Sequence, residues 1–331
     1  MNKRRERGSA LPLILWVLAV LLVISLSFSF LIQSRVHRMG MLFNRFQAYL
    51  QASSSAQFGL NLLLTGTRKP TEILTAEQTF FPEGIRYFLD GTPVSSPLFG
   101  EKTRLSFQDY SGLINLRMLR PELLDGLLAY FGMPDDKRKV FIDGLLDWAD
   151  PDDLVRLNGA EKDYYEPLGY RPRNAPPLNL DEILMIRGMD EALYQKIEPY
   201  LALGASLGVN PNSAPFEVLM SFPHMTEESA RRIMEARKFG YIKNVDELST
   251  ISGINYGFYE GLFTFTSDPF LIVRASAPIG EDSWYTIFCL MEKELGSSRI
   301  LPESSVPATL APEEPGGWTP YNILSWREQV R

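Results

Sequence analysis

An unbroken run from Ser9 to Ser34 carries no charged side chain, and nothing else in the sequence limits the chain as tightly. As a helix rising about 1.5 Å per residue it would be roughly 40 Å long, enough to cross the ~30 Å hydrocarbon core of a bilayer. Lys3, Arg4, Arg5 and Arg7 precede the run and only Glu6 opposes them. This asymmetry keeps the N-terminus cytoplasmic and puts everything after Arg35 outside. Arg35, His37, Arg38 and Arg45 beyond the far end weaken the signal, but they are spread out. A cleaved secretory signal would have a shorter apolar core followed by a small-residue site. Residues 10–32 are too long for that, and residues 33–45 offer no Ala-x-Ala.

The remainder has the composition of an ordinary folded body, with 45% hydrophobic and 22% charged residues in the whole chain. It can bury a core in two subdomains. The net charge of −7 makes an acidic exported body, a poor partner for phosphates and anionic lipid. Cys289 is the single cysteine, so no intramolecular disulfide forms, and it reads as a buried strand residue. With His37 and His224 the only histidines, a cysteine and histidine zinc site is excluded. No Gly-x-Ser-x-Gly, phosphate-binding glycine loop or His-dependent metal motif is present, which argues against an enzyme; no catalytic or cofactor-binding residues are assigned.

The stretch Arg7, Gly8, Ser9, Ala10, Leu11, Pro12, Leu13, Ile14, Leu15, Trp16, Val17, Leu18 resembles the class III signal of type IV pilin-like proteins. That resemblance implies that a prepilin peptidase cuts between Gly8 and Ser9, leaves the apolar helix on the mature chain, and that the new N-terminus is methylated. Most such proteins carry a glutamate as the fifth mature residue, where this sequence has Leu13. In the family that acid is thought to pair with the N-terminal amine of the subunit above, a burial otherwise costly in lipid. Its absence resembles the minor pseudopilin K family of type II secretion systems. Membership implies a structural role at the tip of the pseudopilus, initiation of its assembly for protein export, and partners of the I and J types. It also implies an inner-membrane site with the body periplasmic, and no nucleic-acid or small-molecule substrate.

Residues 1–8 are thus a leader and 9–34 the transmembrane helix. Val36, Met39, Phe43, Phe46, Leu50, Phe58, Leu62 and Leu63 recur at mostly three- and four-residue intervals, extending the helix over 35–65 with room for a break. This half, amphipathic, would lay one face on a sheet and leave Gln47, Gln51 and Gln57 wetter. Residues 66–115 read as the first part of a pilin-like α/β domain, with strands at 85–89 and 103–107. Residues 267–331 supply its C-terminal strands at 270–276, 285–292 and 322–326. Between them, 116–266 is helical, with helices at 121–131, 136–148, 181–186, 191–203, 214–220, 227–237, 245–249 and 258–265. The fold class is α+β: a long N-terminal helix on an antiparallel sheet, with a large all-α domain inserted between strands. That insertion is a further resemblance to pseudopilin K, as are the segments 109–116 and 145–153. Residues 297–317, rich in Pro, Ser, Glu and Gly, read as a flexible loop.

Two constellations carry chemistry. Asp147, Asp150, Asp152, Asp153, Glu161 and Asp163 form an acidic loop with Asn158 and Gly159 to turn it. Oxygen donors at this density suit a hard cation, Ca²⁺ over zinc, although the spacing is not an EF-hand. The competing reading is a helix end followed by a solvated loop with Asp caps, and Asp143 or Asp109 could replace one donor. The resemblance favours calcium, because family members are understood to bind it. The second constellation comprises three weak repeats of helix-hairpin-helix character, around Arg187-Gly188-Met189, Met225 and Gly253. In DNA-binding versions, hairpin glycines let backbone amides approach a phosphate. Here His224 replaces the first glycine of the second unit, and Glu227, Glu228, Asp190 and Glu191 occupy the helix starts. The units therefore read as packing scaffolds, with a membrane-anchored DNA receptor of the competence type as the alternative.

Overall fold

The computed structural model describes residues 10–65, 67–68, 72–74, 86–96, 100–281, 283–293 and 321–330. The leader, with Gly8 and Ser9, and the 297–317 segment lie outside the described residues.

The first element, α1 (Ala10–Thr65), is one continuous helix with no break at the end of the apolar run. It is long and apolar enough to cross a membrane, with a mean hydropathy of 2.7 in its most apolar window. Five short or medium strands follow: β1 (Thr67–Arg68), β2 (Glu72–Leu74), β3 (Arg86–Phe88), β4 (Val94–Ser96) and β5 (Gly100–Asp109). After β6 (Ile114–Asn115) come the helices α2 (Pro121–Tyr130), α3 (Asp135–Ala149), α4 (Lys162–Tyr165) and α5 (Glu191–Ile197). Then β7 (Leu201–Ala202) precedes α6 (Phe216–Leu219), α7 (Glu227–Phe239) and α8 (Val245–Ser252). The chain closes with β8 (Phe270–Ile279), β9 (Ser283–Lys293) and β10 (Tyr321–Val330).

The main sheet is antiparallel, ordered β10-β9-β8-β5-β4, with a small β1-β2-β3 sheet beside it. β5 pairs with β8 through to Asp109 opposite Leu271, so the inserted block leaves and returns at neighbouring strand ends. Along β8 the residues Leu271, Val273, Ala275 and Ala277 are buried and alternate with half-buried ones, the period of a strand with one face on a core. The opposing face of α1 is made of small side chains: Ala48, Ala52, Ser55 and Ala56, with Leu62 and Leu63 at its end. Gly59 sets the approach, since a Cβ there would lie 2.9 Å from Val273 Cγ1 and 3.0 Å from Leu105 Cδ1.

The large apolar residues whose spacing predicts this helix therefore do not make the seat. Of them, Leu62 and Leu63 are buried and Phe58 is half-buried, whereas Val36, Met39, Phe43, Phe46 and Leu50 are exposed. Small residues win the sheet-facing side because close packing rewards fit rather than bulk. Gln47 and Gln57 are exposed and Gln51 is half-buried.

The helical block has its own core, which includes Leu124, Leu127, Leu145, Ile183, Ile197, Leu219, Ile233 and Leu248. It is not all-α: β6 and β7 pair in parallel, Ile114 with Leu201 and Asn115 with Ala202. The helix expected over 191–203 stops at Ile197, because Pro199 has no amide to continue it and the chain turns through a 3₁₀ segment, Glu198–Tyr200, into β7. The segments Leu180–Met185 and Gly257–Leu262 are likewise 3₁₀ rather than α-helical.

Candidate functional site

The acidic loop grows from the last turn of α3. Asp147 faces inward there and is fully buried, beside Trp148. Its Oδ1 accepts from the Arg156 guanidinium at 2.6 Å and its Oδ2 from the Arg156 backbone amide at 3.2 Å. The same guanidinium nitrogen donates to Asp150 Oδ2 at 2.5 Å. The two carboxylates hold the guanidinium's charge, pushing its pKa above the ordinary arginine value. Gly159 closes over Asp147, and a Cβ there would fall 1.8 Å from Asp147 Oδ2, so no other residue fits without moving the loop.

Glu161 lies beneath this loop, 3% exposed, and neither of its carboxylate oxygens has a hydrogen-bond partner; Asp150 Oδ1 is in the same condition. Burial, followed by the negative charges of Asp147 and Asp150, pushes the Glu161 pKa up to about 7. Asp152 is exposed and accepts from the Leu154 amide at 2.9 Å. Asp153 is exposed near Asn174, and Asp163 is exposed in the first turn of α4. Asp143 accepts twice from Asn158, at 2.9 and 3.1 Å, while Asp109 belongs to a separate polar joint. Asp147 and Glu161 are therefore buried and Asp150 is half-buried, while the other three acids are exposed. Among the described residues no three His, Cys, Asp or Glu side chains converge closely enough to hold an ion as they stand. The unsatisfied oxygens of Glu161 and Asp150 are hard donors, the type that calcium takes. The basic residue that completes the loop, Arg156, was legible only as the one cation between Asp147 and Asp163 other than Lys162.

The three hairpins share one geometry. Gly188, His224 and Gly253 all adopt left-handed conformations, with φ of 94°, 61° and 75°. Each is followed by an apolar residue and then by a polar side chain that accepts from a backbone amide. Asp190 accepts from Leu193 at 2.8 Å, Thr226 from Ser229 at 3.2 Å, and Asn255 from Gly257 at 3.0 Å. A left-handed turn before a capped helix is what glycine serves best, and His224 bears the cost that a side chain incurs there. Its ring reaches Tyr259 Oη at 3.3 Å.

The basic residues near the second hairpin do not build a phosphate surface. Arg231 faces Glu227 at 3.7 Å, Arg232 faces Glu228 at 3.9 Å, and Lys238 bonds Glu235 at 2.6 Å. Arg237 is buried and paired with Asp90 at 2.5 Å. It also donates to the carbonyls of Pro211 and Ala214, at 3.0 and 2.7 Å, so that it ties α7 both to the β3–β4 turn through Asp90 and to the segment before α6. Burial lowers its pKa while Asp90 opposes the shift. A second joint sits where the helical block leaves and re-enters the sheet. Asp109 Oδ1 accepts from the amides of Ser111 and Asp268, at 2.9 and 3.0 Å. Asp268 Oδ2 accepts from the amides of Ala205 and Ser206, at 3.0 and 2.9 Å. Gly112 must be glycine here, because a Cβ would lie 2.1 Å from the Ser213 carbonyl oxygen. Cys289 is fully buried in β9, where burial pushes its thiol pKa up to about 12.

Two family models match the helical block. One, described as type II secretion system (T2SS), protein K, covers residues 112–205, and a helix-hairpin-helix motif covers 204–265. The chain is 24% identical over 257 residues to type II secretion system protein K of Pectobacterium carotovorum subsp. carotovorum, spanning 71% of this chain and 76% of the relative. The protein K of Aeromonas hydrophila is 24% identical over 262 residues, with the same coverage of 71% and 76%. That of Klebsiella pneumoniae reaches 35% identity over 102 residues, which is 28% of this chain and 31% of the relative. The fold is similar to one in the crystal structure of the GspK-GspI-GspJ complex from enterotoxigenic Escherichia coli. The TM-score is 0.53 at 16% identity, covering 88% of this chain and 99% of that one.

Proposed function

We propose that this chain, similar to type II secretion system protein K in sequence and in fold, is a minor pseudopilin that stands at the tip of the pseudopilus and helps start its assembly for protein export. The observation that carries the tip position is the makeup of α1: it is a continuous apolar rod with Leu13 exposed in its first turn and no acidic residue anywhere along it. Without a carboxylate in the bilayer, the subunit has nothing to pair with the amine of a neighbour overhead. The helical body supports the same reading, since a second hydrophobic core hung from one end of the sheet is a large unit to repeat along a fibre.

In this reading a prepilin peptidase cuts after Gly8, Ser9 becomes the methylated N-terminus, and α1 anchors the chain once in the inner membrane with its body periplasmic. The outward stripe of α1 farther along the stem, with Phe43, Phe46 and Leu50 exposed, packs against the helices of I- and J-type minor pseudopilins. Calcium is a structural ligand of the acidic loop, held by Glu161, Asp150 and Asp147, and stabilises the fold by binding its native state alone. Asp152, Asp153 and Asp163 surround it. The role is structural rather than enzymatic. Nor is DNA reception favoured, since every cation of the 231–238 cluster is matched by an acid.

Co-expression with the I- and J-type subunits tests the assignment. A tagged chain should recover both partners in one complex; recovery of neither, with all three proteins present in the membrane, would refute it.

A further inference from the structure

We infer that the stem of α1 just beyond the membrane span is a clamp for anionic phospholipid headgroups of the outward-facing leaflet, with Arg35 and Arg38 as its cations. This rests on the reading of α1 as a membrane anchor. The stem, residues 35–47, is exposed throughout, and the first side chain buried against the sheet is Ala48. At about 1.5 Å per residue the stem is roughly 20 Å long, while each headgroup layer is only about 5–8 Å deep. Arg35 and Arg38 fall within that layer and Arg45 beyond it.

Three observations point to phosphate as the ligand. No acidic residue occurs between Arg7 and Thr71, and among the described residues Arg35 and Arg38 form no ion pair. Helical side chains lean toward the N-terminus, which here means toward the bilayer. Arg38 does so: its Nε lies 3.4 Å from the Ser34 carbonyl oxygen and its Nη2 3.3 Å from Ser34 Oγ, neutral acceptors that leave its charge uncompensated. Finally, the residues interleaved with these cations, Val36 and Met39, are 65% and 69% exposed. Apolar side chains and arginines on one short stretch are both accommodated where acyl chains meet headgroups. Arg45 differs, because at about 1.5 Å per residue it stands roughly 15 Å beyond Arg35, close to Ala48 where the helix meets the sheet. The acidic body itself repels anionic lipid, which confines the attraction to the stem and fixes the height at which the body stands off the membrane.

The test uses the full chain reconstituted in vesicles of phosphatidylcholine with or without phosphatidylglycerol, extracted in a neutral detergent and weighed with its retained lipid by native mass spectrometry. Wild type should retain phosphatidylglycerol preferentially, Arg35→Gln/Arg38→Gln should lower that preference about tenfold to thirtyfold, and Arg45→Gln should leave it. Equal retention by wild type and the double variant overturns the inference. So does a double variant that loses the I- and J-type partners with lipid retention unchanged, since the cations then serve a protein. Alkaline extraction separates the two readings: a chain released from vesicles fails as an anchored protein, whereas one that stays without lipid preference fails this inference alone.

Discussion

Glu161 brings two carboxylate oxygens out of water with no donor to meet them, and its pKa rises from 4.5 to about 7 as a result. A carboxyl whose folded pKa lies above its unfolded one binds more protons in the native state. Its full stability is therefore present below about pH 4.5 and is lost as pH rises through 7, a penalty on the order of 3 kcal/mol. The body without the stem suits the measurement, because residues 12–47 contribute no buried side chain to either core. In chelator, its melting temperature should fall between about pH 5 and pH 8. Glu161→Gln should flatten that fall, and calcium should raise the wild type at pH 8 but not the variant. A wild type indifferent to both pH and calcium would contradict the metal assignment. The acids of this loop were legible as a run, but their division into buried Asp147 and Glu161, half-buried Asp150 and exposed Asp152, Asp153 and Asp163 was not. Burial depends on how Gly159 folds the loop back onto α3, a tertiary event that no local spacing encodes.

Among the elements, α1 shows how composition can mislead about which face packs. The periodicity of its large apolar residues gave the helix and its end near Thr65. It did not give the seat, which uses Ala48, Ala52, Ala56 and Gly59 against Leu105 and Val273. Gly59→Leu should therefore destabilise the body by about 1–3 kcal/mol in urea denaturation, because the seat has no room. Phe43→Ser, on the open face, should change stability by less than about 0.5 kcal/mol. The reverse order would mean that the sheet packs on the other side of the helix. The hairpin turns were better encoded. A glycine or its substitute stands two residues before a helix cap at Asp190 and Thr226 and before the turn-forming Asn255, so the backbone demand is written in the sequence itself, and His224 at φ 61° meets it. The helix starts from 191 and 258 were overextended because Pro199 and the short 3₁₀ turns interrupt patterns that apolar spacing alone continues.

At the scale of the whole molecule, two hydrophobic cores share one chain. The split sheet was legible because strands separated by the helical block keep their alternation, and β5 and β8 become neighbours. What joins the cores was not. The Asp90–Arg237 pair and the Asp109–Asp268 joint connect residues far apart in sequence, and although Asp109 opens the segment 109–116, nothing in the sequence pairs either residue with its partner. Breaking one partner of such a buried pair leaves an uncompensated charge, so these contacts hold the helical body in register with the anchor-bearing sheet. On the proposed reading, a subunit with a second core beside the sheet and no acid along α1 stands at an end of a fibre. The most direct measurement is the position and number of copies on assembled pseudopili, read by labelling the helical body in cells producing all pseudopilins. The account predicts a label at one end of each fibre; labels distributed along the shaft would contradict it.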